Sequence, residues 1–438
     1  MSNSYPRPGA SQPGELPKTR YENEGTVSLS LILIVGIFAS TMPQPQALGR
    51  LPLSFLLKDQ LHSTPTQLSS YWFLCGLFWY LKPIAGILTD SFPLFKTRRR
   101  HYMLISSVLA FFGWIGFGFV PHTYSSLLYA AILVNLFMVM MSTVTGAFLV
   151  EVGQSKGATG RLTSVRQLTY NACQLLTGPL GGLLATASFG LAAGVNAVVV
   201  ITIFPIAYIF LREKPLAAKD LNAIHNAKLS LVTMGRSKAF WGTIVFVLLF
   251  YFAPGFGTLQ LYRQTDLLHF SKPQIGLLGS VGAAGSIIAV FVYAALVRRV
   301  AIRKLLFTGI ALNALGTLLY LIYNSLALAY PIDFQNGLFF GFAEVALIDL
   351  CARAAPAGCE GLAYSLLLSA RNLALFGADL LGSWLHDTYK LGWSTMVFLN
   401  AGSTAIVLIL MPFMPALLMS GKDGSRPNTE NTGEPAAA

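Results

Sequence analysis

Long apolar stretches run through the chain from residue 28 to residue 416, and each is long enough to cross a lipid bilayer as a helix. A transmembrane helix needs about 20 apolar residues to span a hydrocarbon core of about 30 Å. The segments lie near 28–57, 66–88, 102–120, 123–150, 160–187, 189–211, 239–262, 273–297, 303–323, 327–352, 359–386 and 392–416. Pro43 and Pro45 interrupt the first segment, and Pro254, Gly255 and Gly257 interrupt the seventh. The pattern predicts an all-α polytopic membrane protein with twelve transmembrane helices.

Composition supports a membrane location. Apolar residues make up 54% of the chain and charged residues 11%, whereas soluble domains carry about 25% charged residues. We therefore expect an integral, multi-pass membrane protein whose outer surface contacts the lipid bilayer.

The positive charge of the chain is concentrated on one side of the predicted helix bundle. The net charge is +12, and most Lys and Arg residues fall in the tails and in alternate loops. Basic loops stay on the cytoplasmic side of membranes. Both termini are therefore predicted to be cytoplasmic, in a plasma membrane or a bacterial inner membrane, with anionic lipid headgroups as neighbours. This distribution argues against nucleic-acid binding.

The predicted helices divide into two groups of six. Residues 27–211 form an N-terminal half and residues 239–416 a C-terminal half, and a polar cytoplasmic linker at 212–238 joins them. The tails at 1–26 and 417–438 are polar and are expected to be disordered.

A short motif after the first apolar segment recurs after the seventh. Asp59 and His62 have the same spacing as Asp266 and His269, and a proline follows each pair. A gap-free match also joins the fifth and eleventh segments. An internal repeat explains both matches better than chance likeness between apolar helices does. Parallel repeats are the plan of major facilitator transporters, whose substrate site lies between the halves near the membrane midplane.

The loop between the second and third segments carries a more specific motif. It reads Lys82-Pro83-x-x-Gly86-x-x-Thr89-Asp90-Ser91-x-Pro93, followed by Arg98-Arg99-Arg100. Further matches are Leu56–Leu61, the Arg303–Phe307 start of helix nine and the surroundings of Arg353 and Arg371. Together these motifs resemble the folate–biopterin transporter family within the major facilitator superfamily. One departure is Thr89, which stands where the family commonly has serine.

The resemblance implies a secondary transporter that moves folate, a pterin or a related organic anion by alternating access, with protons as a candidate coupling ion. The protein is expected to act as a monomer. Two other interpretations stay open: a major facilitator carrier of another small organic solute, and a non-transporting sensor or scramblase on the same fold. A polar stripe facing a sealed, dry interior favours the second of these, whereas a central cavity lined by both halves favours transport.

Charged residues at the predicted cytoplasmic ends of helices are candidates for gating. By resemblance to the superfamily, an arginine of the triplet bridges acids at the ends of helices two and four when the transporter faces outward. The contact breaks as the halves move. Alternatively, the arginines only fix the topology, and the acid and arginine on helix ten form an ordinary helix-end ion pair. The gating candidates are Lys82, Asp90, Arg98, Arg99, Arg100, Glu151, Asp349 and Arg353.

Polar residues within apolar helix five are candidates for substrate binding. They are Arg166, Tyr170, Asn171 and Gln174, which share one broad face of the predicted helix. Polar side chains inside a membrane helix face protein or a water-filled cavity, so this stripe either lines a cavity or joins helices. Amides suit the donor and acceptor edges of a heterocyclic substrate, which favours the cavity.

Helices one, ten and eleven supply the remaining substrate-binding candidates. Arg371 and Asn372 lie in helix eleven, and Glu344 lies in the middle of helix ten. Arg371 is predicted to engage a substrate carboxylate, while Glu344 pairs with it or carries a coupling proton; a static ion pair is the alternative. Gln44 and Gln46 follow the break in helix one. Broken helices often mark transporter substrate sites, although proline kinks also occur without a binding role.

No enzymatic motif emerges from the sequence. A phosphate-binding glycine loop with its lysine is absent, which argues against ATP-driven transport by this chain. The six histidines contain no His-x-x-x-His pair of the kind that binds metals. We expect no catalytic residues, no cofactor and no metal site.

Overall fold

A computed structural model describes residues 26–155, 159–213, 222–297, 299–356 and 360–413. The two tails that the sequence predicts to be disordered lie almost entirely outside these residues. Within them the chain forms helices and connecting turns, without an extended β-strand.

The N-terminal half begins with a helix that breaks where its prolines predict. Its helices are α1 (Thr26–Thr41), α2 (Arg50–Phe55), α3 (Pro65–Cys75), α4 (Leu77–Tyr80), α5 (Lys82–Ser91), α6 (Arg100–Phe117), α7 (Tyr124–Ser155), α8 (Thr159–Leu184), α9 (Phe189–Ile201) and α10 (Ile203–Phe210). A π-helical turn, Leu56–Gln60, extends α2. The second predicted segment is divided into α3, α4 and α5, a division that the sequence analysis did not predict. Pro83 at the start of α5 contributes to it, because proline cannot donate a backbone hydrogen bond to the preceding turn.

The C-terminal half shows the same broken helix at its start. Its helices are α12 (Lys238–Tyr251), α13 (Gly257–Tyr262), α14 (Lys272–Leu296), α15 (Ile302–Thr317), α16 (Leu326–Ala354), α17 (Glu360–Tyr389) and α18 (Trp393–Leu410). A π-helical turn, Arg263–Leu267, extends α13, as the turn at Leu56–Gln60 extends α2. Short 3₁₀ turns follow α15 and α18, at Leu318–Ile322 and Met411–Phe413. Part of the linker is helical: α11 spans Asn222–Arg236.

Among the described residues, five helical stretches are long and apolar enough to cross a membrane. They are Tyr124–Val152, Phe189–Phe210, Lys272–Leu296, Ile302–Ile322 and Trp393–Leu410, and two shorter apolar helices are Leu29–Thr41 and Lys238–Tyr251. All of the predicted segments are helical over most of their described length. Twelve membrane crossings stay a prediction, because several segments are interrupted by breaks or carry charged residues.

Each half buries an apolar core of its own. Trp72, Trp114 and Phe148 are almost fully buried in the N-terminal half, and Phe240 and Phe246 are buried in the C-terminal half. Large buried aromatic side chains contribute much of the packing energy of such cores. The cores hold each group of helices together and leave the space between the halves for polar side chains.

Two helix pairs make the most extensive contacts between the two halves. Helix α8 packs along α14, and α3 packs along α17. Gly178 and Gly182 of α8 face Gly276 of α14 so closely that a Cβ atom at Gly276 would clash with the Gly178 backbone. The Ser280 hydroxyl, one turn further along α14, donates to the Leu175 carbonyl at 2.6 Å. The absence of side chains at these glycines therefore allows the halves to close on each other.

The bundle has two ends, which we name by a residue at each. The π-helical turn after α2 places Asp59 at one end, here the Asp59 end. The loop between α5 and α6 places Arg99 at the other, here the Arg99 end. The close contact at Gly178 lies on the Asp59 side of Gln174 along α8. The linker helix α11 packs against both α5 and α17.

Candidate functional site

A cavity of about 350 Å³ lies between the halves and contains three basic side chains, Lys82, Arg166 and Arg371. We call it the basic chamber. Its other polar walls are Ser40, Thr41, Gln44, Gln46, Ser142, Thr145, Tyr170, Gln174 and Asn372. Both halves contribute, because Arg371 and Asn372 belong to α17 and the others to the N-terminal half. The chamber thus combines positive charge, amides and aromatic surface.

Helix α8 presents a polar stripe to the basic chamber. Arg166, Tyr170 and Gln174 are spaced four residues apart, so they lie on one face of the helix. Tyr170 is 43% exposed, although the same helix is tightly packed about two turns further on, at Gly178. Asn171 is not among the chamber-lining residues; its side-chain oxygen accepts a hydrogen bond from Gln167 Nε2 at 3.0 Å. The stripe is therefore accessible on the Arg99 side of the contact between the halves.

Arg371 is the most heavily contacted cation of the chamber. It forms an ion pair with Glu344 of α16. Its Nη1 donates to Asn372 Oδ1 at 2.9 Å, and its guanidinium lies 5.1 Å from the centre of the Tyr251 ring. The structure thus brings together Arg371 and Glu344, as the sequence analysis suggested. The pairing compensates the charge of one chamber cation.

Lys82 lies in this chamber with the substrate-binding candidates, away from the other gating candidates at the Arg99 end. Its Nζ donates to Ser142 Oγ at 3.0 Å and lies 5.2 Å from the centre of the Trp79 ring. Its position at the start of α5 explains this location, because the rest of α5 separates it from the arginine triplet. The chamber therefore holds a lysine that the sequence analysis had assigned to gating.

The break between α1 and α2 carries two further chamber residues. Gln44 Nε2 donates to the Ser40 carbonyl at 2.6 Å, and Gln46 Oε1 lies 4.0 Å from Cys75 Sγ. The carbonyl of Pro43 accepts a hydrogen bond from buried Trp114 at 2.8 Å. Broken helices expose backbone groups that need such partners. The break is therefore held in place by side chains, and both glutamines face the cavity.

A second cavity of about 320 Å³ shares the side chains of Leu375 and Phe376 with the basic chamber. We call it the amide chamber, because Asn313, Asn336, Asn400 and Gln260 line it together with Arg50, Asp379 and several aromatic rings. A third cavity, of about 370 Å³, adjoins it toward α14 and shares Arg50, Gln260 and Asn336 with it. Sequence reasoning did not select Asn313, Asn336 or Asn400. A single asparagine within an otherwise apolar helix, as in α15, is the signal that points to them.

A buried carboxylate, Asp333, stands beside the amide chamber. It is 8% exposed and accepts hydrogen bonds from the Tyr320 hydroxyl at 2.8 Å and the Tyr323 hydroxyl at 2.9 Å. Gln260 Nε2 adds a third at 3.2 Å. Asp379 is similarly held, since Thr258 donates to it through its backbone N–H at 2.9 Å and its hydroxyl at 2.5 Å. Neutral donors therefore satisfy both carboxylates.

Arg99, the middle residue of the arginine triplet, bridges the predicted acids. Its Nη2 lies 2.7 Å from Asp90 Oδ1 and 2.6 Å from Glu151 Oε1, and its side chain is 4% exposed. Burial lowers the pKa of Arg99, but the charges of Glu151 and Asp90 outweigh burial and raise the pKa above its usual value. All three residues belong to the N-terminal half. The cluster thus stabilises the ends of α5 and α7 within one half, whereas the sequence analysis expected a latch between moving halves.

Glu213, which sequence reasoning missed, completes this cluster. Its carboxylate accepts backbone hydrogen bonds from Arg98 and Arg99, both at 2.9 Å, and from Arg100 at 3.2 Å. Backbone N–H groups at a helix start lack helical partners, and a carboxylate there is favourable. Arg100 donates to the Tyr208 carbonyl at 3.1 Å. The loop that precedes α6 is therefore held from two sides.

The second-half counterpart of this cluster is smaller. Arg353 Nε lies 3.1 Å from Asp349 Oδ1, and its Nη2 lies 3.0 Å from Asp349 Oδ2. Tyr293 of α14 donates to the same carboxylate at 2.7 Å. The pair is bidentate and connects α16 to α14.

Two ion pairs cross between the halves at the Asp59 end. Lys58 Nζ lies 2.5 Å from Asp266 Oδ1, and Lys272 Nζ lies 3.1 Å from Asp59 Oδ2. The Tyr262 hydroxyl donates to the Ser63 carbonyl across the same interface. Together with the glycine contact of α8 and α14, these interactions close the Asp59 end.

Comparison with known proteins identifies the fold. A family model described as the BT1 family matches residues 45–326, and one described as the Major Facilitator Superfamily matches residues 264–436. The chain is similar to the solved nucleoside transporter NupG, with a TM-score of 0.68, 10% identity and coverage of 89% of this chain and 98% of that one. It is also similar to a D-xylose-proton symporter, with a TM-score of 0.64, 15% identity and coverage of 89% and 97%. The chain therefore has the major facilitator fold, which confirms the predicted fold class.

Curated relatives extend over most of the chain. Folate transporter 1 of Plasmodium falciparum (isolate 3D7) is 24% identical over 85% of this chain and 76% of its own length. The folate-biopterin transporter of Synechocystis sp. (strain ATCC 27184 / PCC 6803 / Kazusa) is 25% identical over 89% of this chain and 82% of its own length. The probable folate-biopterin transporter 4 of Arabidopsis thaliana is 23% identical over 84% and 90%.

Proposed function

Because the chain belongs to the BT1 family, we propose that it is a secondary transporter that moves folate, a pterin or a related organic anion by alternating access. This family assignment confirms the resemblance drawn from the Lys82–Arg100 motif. The relatives that carry folate or folate-biopterin transporter names support the substrate class.

The observation that carries the proposal is the chemistry of the basic chamber. Lys82 and Arg166 supply positive charge for substrate carboxylates, and Arg371 adds a third cation whose charge Glu344 compensates. Gln44, Gln46 and Gln174 supply donors and acceptors beside them. Ligand pockets are commonly about 300–1,000 Å³ in volume and combine apolar surface with a few polar groups. An organic anion with an aromatic ring fits these walls.

Alternating access is supported by the asymmetry of the two ends. The Asp59 end is closed by cross-half ion pairs and by the glycine contact, whereas Tyr170 on the other side of that contact is exposed. Basic loops place the Arg99 end in the cytoplasm. The arrangement is then inward-facing, and transport requires the Asp59 end to open while the Arg99 end closes.

We further propose that the protein acts as a monomer in a plasma membrane or bacterial inner membrane, with both termini in the cytoplasm. We also propose that transport is coupled to protons, without assigning the proton to a particular residue. Glu344 lies against Arg371 in this conformation, so it serves charge compensation here. The proposal includes no catalytic step, cofactor or metal.

The sensor and scramblase alternatives predict a different interior. A sensor or scramblase on this fold would keep the polar stripe of α8 in a sealed, dry interior. The stripe instead lines a cavity to which both halves contribute, which favours transport. A carrier of another organic solute stays compatible with the cavity and is separated only by substrate tests.

The experiment is uptake of labelled folate and of a simple pterin into transport-deficient cells that express the protein, with and without an inward proton gradient. The proposal predicts saturable uptake of at least one compound, which increases with the gradient if protons are coupled. Surface expression without saturable uptake of either compound would contradict the substrate class.

A further inference from the structure

The amide chamber has walls that differ from those of the basic chamber. Asn313 of α15 and Asn336 of α16 face it, and rings such as Phe340 and Phe376 form its apolar surface. The volume of about 320 Å³ is within the usual size of a small-ligand site, which is about 300–1,000 Å³. A flat ring system fits these walls, which also carry Arg50 and Asp379.

Asn313 is the most informative residue of this chamber. Its side chain is 7% exposed, and its amide has no hydrogen-bond partner within the described part of the chain. The half-buried amide of Asn336 likewise has no partner there. Buried polar side chains are nearly always hydrogen-bonded. Two partnerless amides that face one cavity are therefore available to a ligand with matching donors and acceptors.

Two carboxylates, Asp379 in the chamber wall and Asp333 beside the chamber, already have hydrogen-bond partners. Asp333 accepts hydrogen bonds from Tyr320, Tyr323 and Gln260, and Asp379 accepts two hydrogen bonds from Thr258. These contacts hold the chamber walls in position. The remaining recognition groups include the two amides, each of which can both donate and accept, and Arg50, whose guanidinium lies 5.6 Å from the centre of the Trp72 ring.

The amide chamber and the basic chamber adjoin each other. Leu375 and Phe376 of α17 line both cavities, so the two spaces are neighbours across these side chains. The basic chamber carries Lys82 and Arg166, which suit carboxylates. The amide chamber suits the donor–acceptor edge of a nitrogen heterocycle, with aromatic rings to contact its faces.

We propose that the amide chamber binds the heterocyclic ring of the substrate through Asn313 and Asn336, while the basic chamber binds its carboxylate tail. This inference rests on the proposed function, and it assigns the two ends of an anionic heterocycle to two separate subsites. A pterin without a tail occupies the amide chamber alone.

The test measures the Kd of labelled pterin and labelled folate for purified full-length protein and two variants, Asn313→Ala and Asn336→Ala. Loss of one hydrogen bond to the ring is expected to weaken binding of both compounds about tenfold. The matched control is Asn196→Ala. Asn196 is also buried in a membrane helix, and its Oδ1 likewise has no partner among the described residues, but its Nδ2 donates to the Ala192 carbonyl at 2.8 Å and it lines neither chamber. The Kd values of the control should stay within about twofold of the parent.

The variants also include Arg166→Gln, which should weaken binding of folate much more than that of pterin. The proposal is overturned if Asn313→Ala and Asn336→Ala bind pterin as tightly as the parent, or if they weaken folate binding alone. If Asn313→Ala does not fold, the half-buried position of Asn336 makes Asn336→Ala the deciding variant. A parent protein that binds neither compound contradicts the proposed function itself, whereas unchanged Asn variants of a binding-competent parent contradict only the subsite.

Discussion

Lys58 of the N-terminal half lies 2.5 Å from Asp266 of the C-terminal half, and the reverse pairing of Asp59 with Lys272 lies beside it at 3.1 Å. The two acids occupy equivalent positions of the internal repeat, and each receives an ammonium group from the opposite half. The equivalent histidines, His62 and His269, both adopt positive φ angles, of 49° and 54°. The repeated motif thus places one acid of each half within reach of a lysine of the opposite half, although Lys58 and Lys272 do not occupy equivalent positions of the repeat.

Charge reversal at this closure should open the Asp59 end. Lys58→Glu places two carboxylates opposite each other, whereas Lys58→Glu with Asp266→Lys restores an attractive pair. Exposed ion pairs contribute about 0.2–1 kcal/mol each, so we expect a change of a few-fold in the closed population. The measurement is the alkylation rate of a cysteine introduced at buried Ser63, with the protein without that cysteine as background. Equal rates in the single and double variants would contradict a role for this pair.

The glycine contact between α8 and α14 makes a second prediction. Gly276→Ala places a methyl group against the Gly178 backbone and should hold the halves apart, which raises the alkylation rate at position 63 and lowers uptake. Gly279→Ala is the control on the same helix, because a Cβ atom there meets nothing within 4 Å. The contact is not a closure element if the two alanine variants behave alike.

Removal of the Arg99 side chain should destabilise the protein. Arg99→Gln leaves Asp90 and Glu151 without their cation, and loss of one partner of a buried pair costs about 3–5 kcal/mol. Because the two acids are 44% and 31% exposed, we expect the lower end of that range, about 3 kcal/mol. The measurement is thermal unfolding in detergent against Lys96→Gln, an exposed residue of the same loop. If both substitutions lower the unfolding temperature equally, the arginine triplet serves only to fix the membrane topology.

Arg371→Ala should abolish saturable uptake while membrane insertion stays intact. The substitution also removes the ion-pair partner of the Glu344 carboxylate, which is a second cause of lost uptake. The double variant Arg371→Ala with Glu344→Gln removes this charge and so separates the two causes. A substrate-binding arginine predicts that the double variant stays inactive, whereas recovery of uptake in the double variant would make the pair structural.

The sequence predicted the helical architecture well because apolar length and proline are strong local signals. The breaks of the first and seventh segments occur at the expected prolines and glycines, and the chamber-facing stripe of Arg166, Tyr170 and Gln174 follows from helical spacing. Local sequence patterns could not predict which side chains from distant parts of the chain would contact each other. Nothing local distinguishes Arg99 from its neighbours, and its position depends on Glu151 and on the cap that Glu213 provides.

Local sequence patterns likewise could not predict which residues are grouped in the basic chamber and the amide chamber. Lys82 belongs to the motif that begins with α5 and continues into the loop before α6. Only the three-dimensional fold places it beside Arg166 and Arg371. Asn313 and Asn336 stand in different helices, so their common cavity is set by the packing of α15 against α16 and not by spacing. Charge and periodicity find polar residues, whereas tertiary packing decides which of them meet.

The most direct test of the account is counterflow with the purified protein in liposomes, which needs no cellular metabolism or partner. Vesicles loaded with unlabelled folate or a simple pterin receive trace amounts of the same labelled compound outside. The account predicts transient accumulation of label that saturates with concentration and is lost with Arg371→Ala. Absence of accumulation for both compounds, in vesicles whose protein is folded and correctly inserted, would contradict it.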